Sequence, residues 1–212
     1  MNPDRSRHGI RHSDDELLDG ARSVFLEHGY HEVTMDEIAA AAGASKPTFY
    51  NHFGDKEEVY RRLMQRETDD LGQIMGAARL IFGDQPPRMR IRMAIASFFD
   101  WAEVEPDGFS LLFSDFQTEI AWEIRNAFVT RIREQFGRGI RENAVERSGV
   151  DIGESAEVIA SMCISLVVGG AHRAGLTTGG MAASAELVSS FVEQALTNLD
   201  LRAVAPVEAL SH

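Results

Sequence analysis

Thr34-Met35-Asp36-Glu37-Ile38-Ala39-Ala40-Ala41-Ala42-Gly43-Ala44-Ser45-Lys46-Pro47-Thr48-Phe49-Tyr50-Asn51-His52-Phe53-Gly54-Asp55-Lys56 is the stretch that decides the fold. Thr34 with Glu37 three residues later forms a capping box: the hydroxyl accepts a free N–H at a helix start and the glutamate reaches back. A helix of about eight residues follows, with Ile38, Ala39 and Ala42 on one face. Gly43 supplies the positive φ of a tight turn. Ser45 caps the next helix, and Pro47 is tolerated in its first turn. The small side chains of Ala39 to Ala42 and Ala44 let the two helices approach closely. Helix, glycine turn and second helix make a helix-turn-helix, whose second helix enters the DNA major groove with its N-terminal residues toward base edges.

Outward from this stretch the signals stay helical. Ser13 and Glu16 form another capping box ahead of Leu17, Leu18, Ala21, Val24 and Phe25 at helical spacing, and Asp55 with Glu58 has the same spacing. No sustained alternation and no Asn-Gly or Asp-Gly hairpin turn between apolar runs marks a strand. Longer helices are expected at about 56–82, ended by Pro86-Pro87, then at 88–104, 108–115, 119–147 (bent by Gly137 and Gly139), 154–172 and 181–199. The chain is therefore all-α. Residues 1–12 read as a flexible basic tail, 13–55 as a helix-turn-helix DNA-binding domain, 56–200 as a helical effector-binding and dimerisation domain, and 201–212 as a loose C-terminus.

Leu17 to about Met64 resembles the N-terminal domain of the tetracycline-repressor (TetR) family of bacterial regulators. The residues that carry the resemblance are Ala21-Arg22-Ser23-Val24-Phe25, Gly29-Tyr30, Thr34, Ile38-Ala39, Ala42-Gly43, Thr48 to Phe53 and Lys56-Glu57. The remaining residues resemble the family only in layout, as a run of longer helices. The resemblance implies a homodimeric, sequence-specific transcriptional regulator, a repressor released from a palindromic operator by a small-molecule effector. It places Lys46, Tyr50, His52 and Lys56 at phosphates, where lysine acts as a point charge and tyrosine donates its hydroxyl. Pro47, Thr48 and Asn51 are the candidates for base edges, because Thr can meet a thymine methyl and Asn can pair bidentately with adenine. Thr34 and Ser45, at the two helix starts, complete the DNA-facing set, and Arg5, Arg7 and Arg11 form a basic arm within reach of a minor groove. Phe49 and Phe53 are expected in the core.

The 212 residues are 44% apolar and 25% charged, values of a globular chain. The net charge of -12 speaks against nucleic acid as a partner until its distribution is seen. Both lysines and five of the seven histidines precede residue 67, whereas the part after it carries 12 arginines against 21 carboxylates. The single cysteine, Cys163, excludes a disulfide scaffold and a cysteine-built zinc site, and reads as a small core residue. His28 and His31 lack a third ligand, so no metal is expected. No secretion signal opens the chain, and the longest uncharged apolar stretch, Val158–Ala171, falls short of the roughly 18 residues a spanning helix needs. A cytoplasmic protein with no membrane partner is expected. Enzyme motifs are absent: no GxSxG, P-loop, HExxH or CxxC. No catalytic activity and no cofactor are expected. The alternative function is a ligand-binding or interaction dimer of the same fold without DNA-regulatory activity.

Two features stand out after residue 66. Aromatics crowd residues 98–128, and Phe98, Trp101, Phe113, Phe116 and Trp122 are candidate walls of an effector pocket, with Gln117 or Glu119 as polar partners. Adaptable Met75, Met89 and Met93 suit a pocket for a largely apolar, aromatic or long-chain effector. The acidic balance favours a neutral or cationic ligand, with Arg125 or Arg173 available for a carboxylate; Glu67, Asp69 and Asp70 read as a solvated acidic face. The last two long helices carry more apolar surface than one packed face needs. Ser161, Ser165 and Gly169, a row of small residues, together with Leu187 and Phe191, are the expected dimer interface.

Overall fold

A computed structural model describes residues 13–114, 118–174 and 179–206, and among these every regular element is an α-helix. The N-terminal unit is α1 (Asp14–Glu32), α2 (Met35–Ala41) and α3 (Lys46–Phe53). All three expected caps form: Ser13 Oγ accepts from Glu16 N–H at 3.2 Å, Thr34 Oγ1 from Glu37 N–H at 3.3 Å, and Ser45 Oγ from Thr48 N–H at 3.3 Å. Gly43 adopts φ 65° and turns the chain from α2 into α3. α1 crosses α2 so closely that a Cβ on Gly20 would lie 2.4 Å from Ala42 Cα. Leu17, Ala21, Ile38, Phe49 and Phe53 fill the space between the three helices.

Helix α4 (Lys56–Phe82) is capped by Asp55 and carries the core onward. Its first two turns bring Val59, Leu63 and Met64 into the N-terminal core, and later Leu71 and Ala78 into the C-terminal one. One continuous apolar cluster joins the two parts, so no boundary at residue 55/56 divides the packing. α5 (Pro87–Val104) starts after the two prolines, α6 (Pro106–Phe113) is short, and α7 (Glu119–Ser148) is capped by Thr118. α8 (Ser155–Ala174) and α9 (Gly180–Asn198) follow. α5 packs on α4 and α9, α7 on α4 and α8, and α8 on α9.

Four expectations change. Gly137 serves close approach: a Cβ there would sit 3.3 Å from Glu157 Cα of α8, and α7 runs through it as one helix. The chain after residue 200 is not loose throughout, because Asp200 caps α10 (Leu201–Val204) and Ser155 Oγ donates to Val204 O at 2.7 Å. Leu201 and Val204 close a small second cluster of Ala144, Val150, Ile152 and Ala156. Glu67 is not on a solvated face. It is only 3% exposed, under Gly108 of α6, and ion-paired to Arg22 at 3.5 Å and Arg66 at 3.2 Å. Finally, α8 extends beyond the uncharged run at both ends, and its 20 residues are by length and composition enough to cross a membrane.

Candidate nucleic-acid interface and effector cavity

α3 owes its orientation to Phe49 and Phe53, whose rings meet at 4.8 Å beneath it. Tyr50, one residue on from Phe49, turns outward and is 45% exposed. Lys46, Pro47 and Asn51 are exposed on the same short helix, and Thr48 is half-buried. Ser45 and Thr48 are joined through their hydroxyls at 2.8 Å, so the first turn of α3 is held rigid.

The cations of this surface already have partners. Lys46 Nζ donates to Asp36 of α2, and both side chains are more than half exposed. His52 Nδ1 lies 2.7 Å from Asp14 Oδ1, whose second oxygen accepts from Arg62 at 3.3 Å. Thr34 is fully used by its cap, its N–H and hydroxyl both donating to Glu37 Oε2 at 2.8 Å. These bonds hold the Glu37 carboxyl below its ordinary pKa. Lys56 is placed differently from the expectation of a phosphate contact. Gly29, at φ 76°, kinks the end of α1. Lys56 Nζ then donates to Tyr30 O and Val33 O, each at 2.8 Å, and stands 4.6 Å over the Tyr30 ring. Carbonyls at a helix end lack intrahelical donors, and this ammonium supplies one.

A cavity of about 1080 Å³ opens among α4, α5, α7, α8 and α9. Phe98 and Phe113 line it, as does Met75. Trp101 does not: it is buried against Phe98, Phe109 and Phe113 and faces the ion pairs around Glu67 and Arg22 on the other side. Trp122, half exposed on the first turn of α7, is also outside the lining, and Phe116 and Gln117 lie outside the described residues. Cys163 lines the cavity, where burial pushes its thiol pKa up to about 11 and keeps it protonated. Arg125 and Arg173 take no part in the lining. Six other arginines do: Arg79, Arg88, Arg90, Arg131, Arg138 and Arg147. Sequence spacing offered one sign of them, Arg131 and Arg138 two turns apart on one face of α7.

The outer face of α8 and α9 is apolar and uncovered among the described residues. Val158, Met162, Leu187 and Phe191 are each more than half exposed, beside Ser165 and Gly169. Gly169 has open space around it, whereas Gly170 is the inward glycine, with Val188 and Phe99 against it.

The family model for "Bacterial regulatory proteins, tetR family" matches residues 17–63. The chain is 40% identical over 119 residues, 54% of its length and 53% of the relative's, to the HTH-type transcriptional activator FasR of Mycolicibacterium smegmatis. It is 30% identical over 92 residues, 43% of its length and 46% of the relative's, to the HTH-type transcriptional repressor AcnR of Corynebacterium glutamicum. The aligned stretches thus span about half the length of these curated relatives. Among solved structures, a TetR-like transcriptional regulator from Rhodococcus sp. RHA1 superposes with a TM-score of 0.70 at 25% identity, covering 88% of this chain and 96% of that one. Residues 17–63 thus match the N-terminal domain of the tetR family of bacterial regulatory proteins, and the fold as a whole is similar to that of a TetR-like regulator.

Proposed function

We propose that the chain is a homodimeric, sequence-specific DNA-binding regulator that represses transcription until a small, largely apolar effector enters the cavity among α4, α5, α7, α8 and α9. The observation that carries this reading is α3, which exposes Lys46, Tyr50 and Asn51, with Thr48 half-buried in its capped first turn. Asn51 and Thr48 are assigned to base edges, and Lys46, Tyr50 and His52 to phosphates. The apolar faces of α8 and α9 support a two-fold dimer through a four-helix bundle, which a palindromic operator requires. Helix α4 supports the coupling, because its first half packs under α3 and its second half walls the cavity. An effector that favours one tilt of α4 changes the separation of the two recognition helices. Selection from random DNA followed by gel shifts on the recovered sites tests the reading. A palindromic consensus whose preference relaxes in Asn51→Ala supports it; uniform binding to all sequences refutes it.

A second reading concerns the sign of regulation. FasR, the 40% identical relative, is named an activator. Transcription in vitro from a promoter bearing the selected site separates activation from repression.

A further inference from the structure

The seam between the helix-turn-helix unit and the rest of the chain is ionic as well as apolar. Arg22 of α1 holds two carboxylates from across the seam at once, Glu67 of α4 at 3.5 Å and Glu105, just ahead of α6, at 3.3 Å. Arg66 of α4 returns the connection, donating to Asp15 O at 3.1 Å and standing 3.0 Å from Asp19 of α1. Both guanidinium groups share one oxygen of Glu67, Oε1. The other, Oε2, faces α6, where a Cβ on Gly108 would lie 2.5 Å from it and 3.5 Å from the Trp101 ring. Trp101 in turn packs on Phe98 and Phe113, which line the large cavity. This ring therefore stands between that cavity and the ion-pair centre.

The centre is short of cations. Asp15, Asp19, Glu67, Asp70 and Glu105 surround one small cavity, with only Arg22 and Arg66 among them. Asp15 and Asp19 belong to α1, and the other three carboxylates lie across the seam. Without one of the arginines, anions on the two sides repel each other through the remaining cation. Burial pushes the Glu67 carboxyl above its ordinary pKa, so its charge draws on both arginines. Buried ion pairs add little net stability, but they hold one orientation where apolar surfaces can slide. The apolar cluster that runs from α1 through α4 and α5 supplies the cohesion of the seam. The ion pairs supply its register.

We propose that this centre, with Glu67 as its shared anion, fixes the orientation of the helix-turn-helix unit, and that Arg22 and Arg66 are positioning residues for DNA reading. Neither belongs to the DNA-facing set. The proposal rests on the reading of α3 as a recognition helix in a dimer. It adds to that reading the residues that hold two recognition helices at one separation, and a path from α6 to the helix-turn-helix through α1 that does not depend on the tilt of α4.

Spin labels on Glu27→Cys in α1 and Gln85→Cys at the α4–α5 turn test it in the full chain without DNA. Both sites are exposed, and the buried, protonated Cys163 thiol stays out of the labelling. Labelled chains diluted into unlabelled ones give the distance within one chain by pulsed electron resonance. Arg22→Gln is expected to widen the distance distribution about twofold at about 20 mM salt and to narrow again at about 500 mM, as screening weakens the repulsion. Arg22→Lys keeps the charge and should stay near the parent. Leu18→Ala, a buried apolar change on the same helix, is the control, and any widening it causes should be indifferent to salt. Asp70 has no ion pair among the described residues, so Asp70→Asn relieves the excess charge and should narrow the distribution at low salt even if Arg22→Gln fails to fold. A distribution that Asp70→Asn leaves unchanged, or a widening in Arg22→Gln that ignores salt, overturns the proposal. On selected operators the parent should lose about tenfold in affinity when one base pair is added at the centre, and Arg22→Gln about threefold or less, with binding to an isolated half-site unchanged. Recovery of no palindromic site would sink the regulator reading and leave the labelling result standing. A spacing-strict operator that Arg22→Gln reads as strictly as the parent would sink this proposal and leave the regulator reading intact.

Discussion

Lys56 and Lys46 both belong to the DNA-facing set expected from sequence, yet the structure separates them, and replacing each in turn tests the separation. Lys56 Nζ has two short bonds to carbonyls at the end of α1 and a place over the Tyr30 ring. A hydrogen bond to a charged group is worth about 1.5–3 kcal/mol net, and a carbonyl left without a donor loses more. Against this stands roughly 2 kcal/mol of side-chain freedom that the tethered lysine gives up. Lys56→Met is therefore expected to cost about 2–3 kcal/mol, or roughly 5–10 °C in melting temperature for a chain of this size. Because its ammonium is turned inward, the salt dependence of DNA binding should stay as in the parent protein. Lys46→Ala should behave oppositely. Its partner among the described residues is Asp36 on an exposed surface, worth less than about 1 kcal/mol, so stability should hardly move. The slope of log K against log salt should fall by about 0.9 for each phosphate no longer neutralised, hence about 1.8 for a symmetric dimer. Urea denaturation and filter binding from 50 to about 300 mM salt measure both quantities. Should Lys56→Met melt like the parent and flatten the salt slope as Lys46→Ala does, the capping role argued for Lys56 is wrong.

Gly170→Ala is expected to destabilise by about 1–3 kcal/mol through the Val188 and Phe99 side chains already against that carbon, whereas Gly169→Ala should be near neutral; denaturant midpoints compare them. Gly169→Arg should leave helicity intact and give monomers by sedimentation, because its space is open in the protomer; a stable dimer that still binds DNA would move the interface elsewhere. Burial raises the pKa of the Glu67 carboxyl above its ordinary value despite Arg22 and Arg66. The folded state therefore holds this proton more tightly than the unfolded chain. The contribution of Glu67 is full below the unfolded pKa and declines as pH rises through the folded one. Glu67→Gln should remove that decline from a plot of stability against pH; an unchanged profile would place the titration elsewhere.

The order of helices α1 to α9 and the three N-terminal caps were legible because each depends on residues within one turn of one another, as Ser13 with Glu16 and Thr34 with Glu37. The outward face of α3 was legible for the same reason, since Phe49 and Phe53 fix which side is inward. What escaped depends on distant neighbours. Lys56 reads as a surface cation until the kink at Gly29 delivers carbonyls 23 to 26 residues away. Gly169 and Gly170 are adjacent, and periodicity could not say which one meets α9. The six arginines that line the cavity come from three helices of an otherwise acidic part of the chain. Glu67 sits in an acidic run, and only the arrival of α6 and Arg22 makes it a buried ion-pair centre.

The carboxylates beside Lys46 and His52 make the free protein its own competitor. Asp36 and Asp14 are tethered at fixed positions, so their local concentration does not fall on dilution or change with the buffer. Any phosphate that approaches must exchange for a bond already formed, and gains only the difference. Random DNA, which offers phosphates and little else, is thereby penalised at every site along a chromosome. A site that also satisfies Thr48 and Asn51 recovers the loss through bases. On the proposed reading Asp36 contributes to selectivity, and Asp36→Asn should yield a protein that binds all DNA more tightly and distinguishes less.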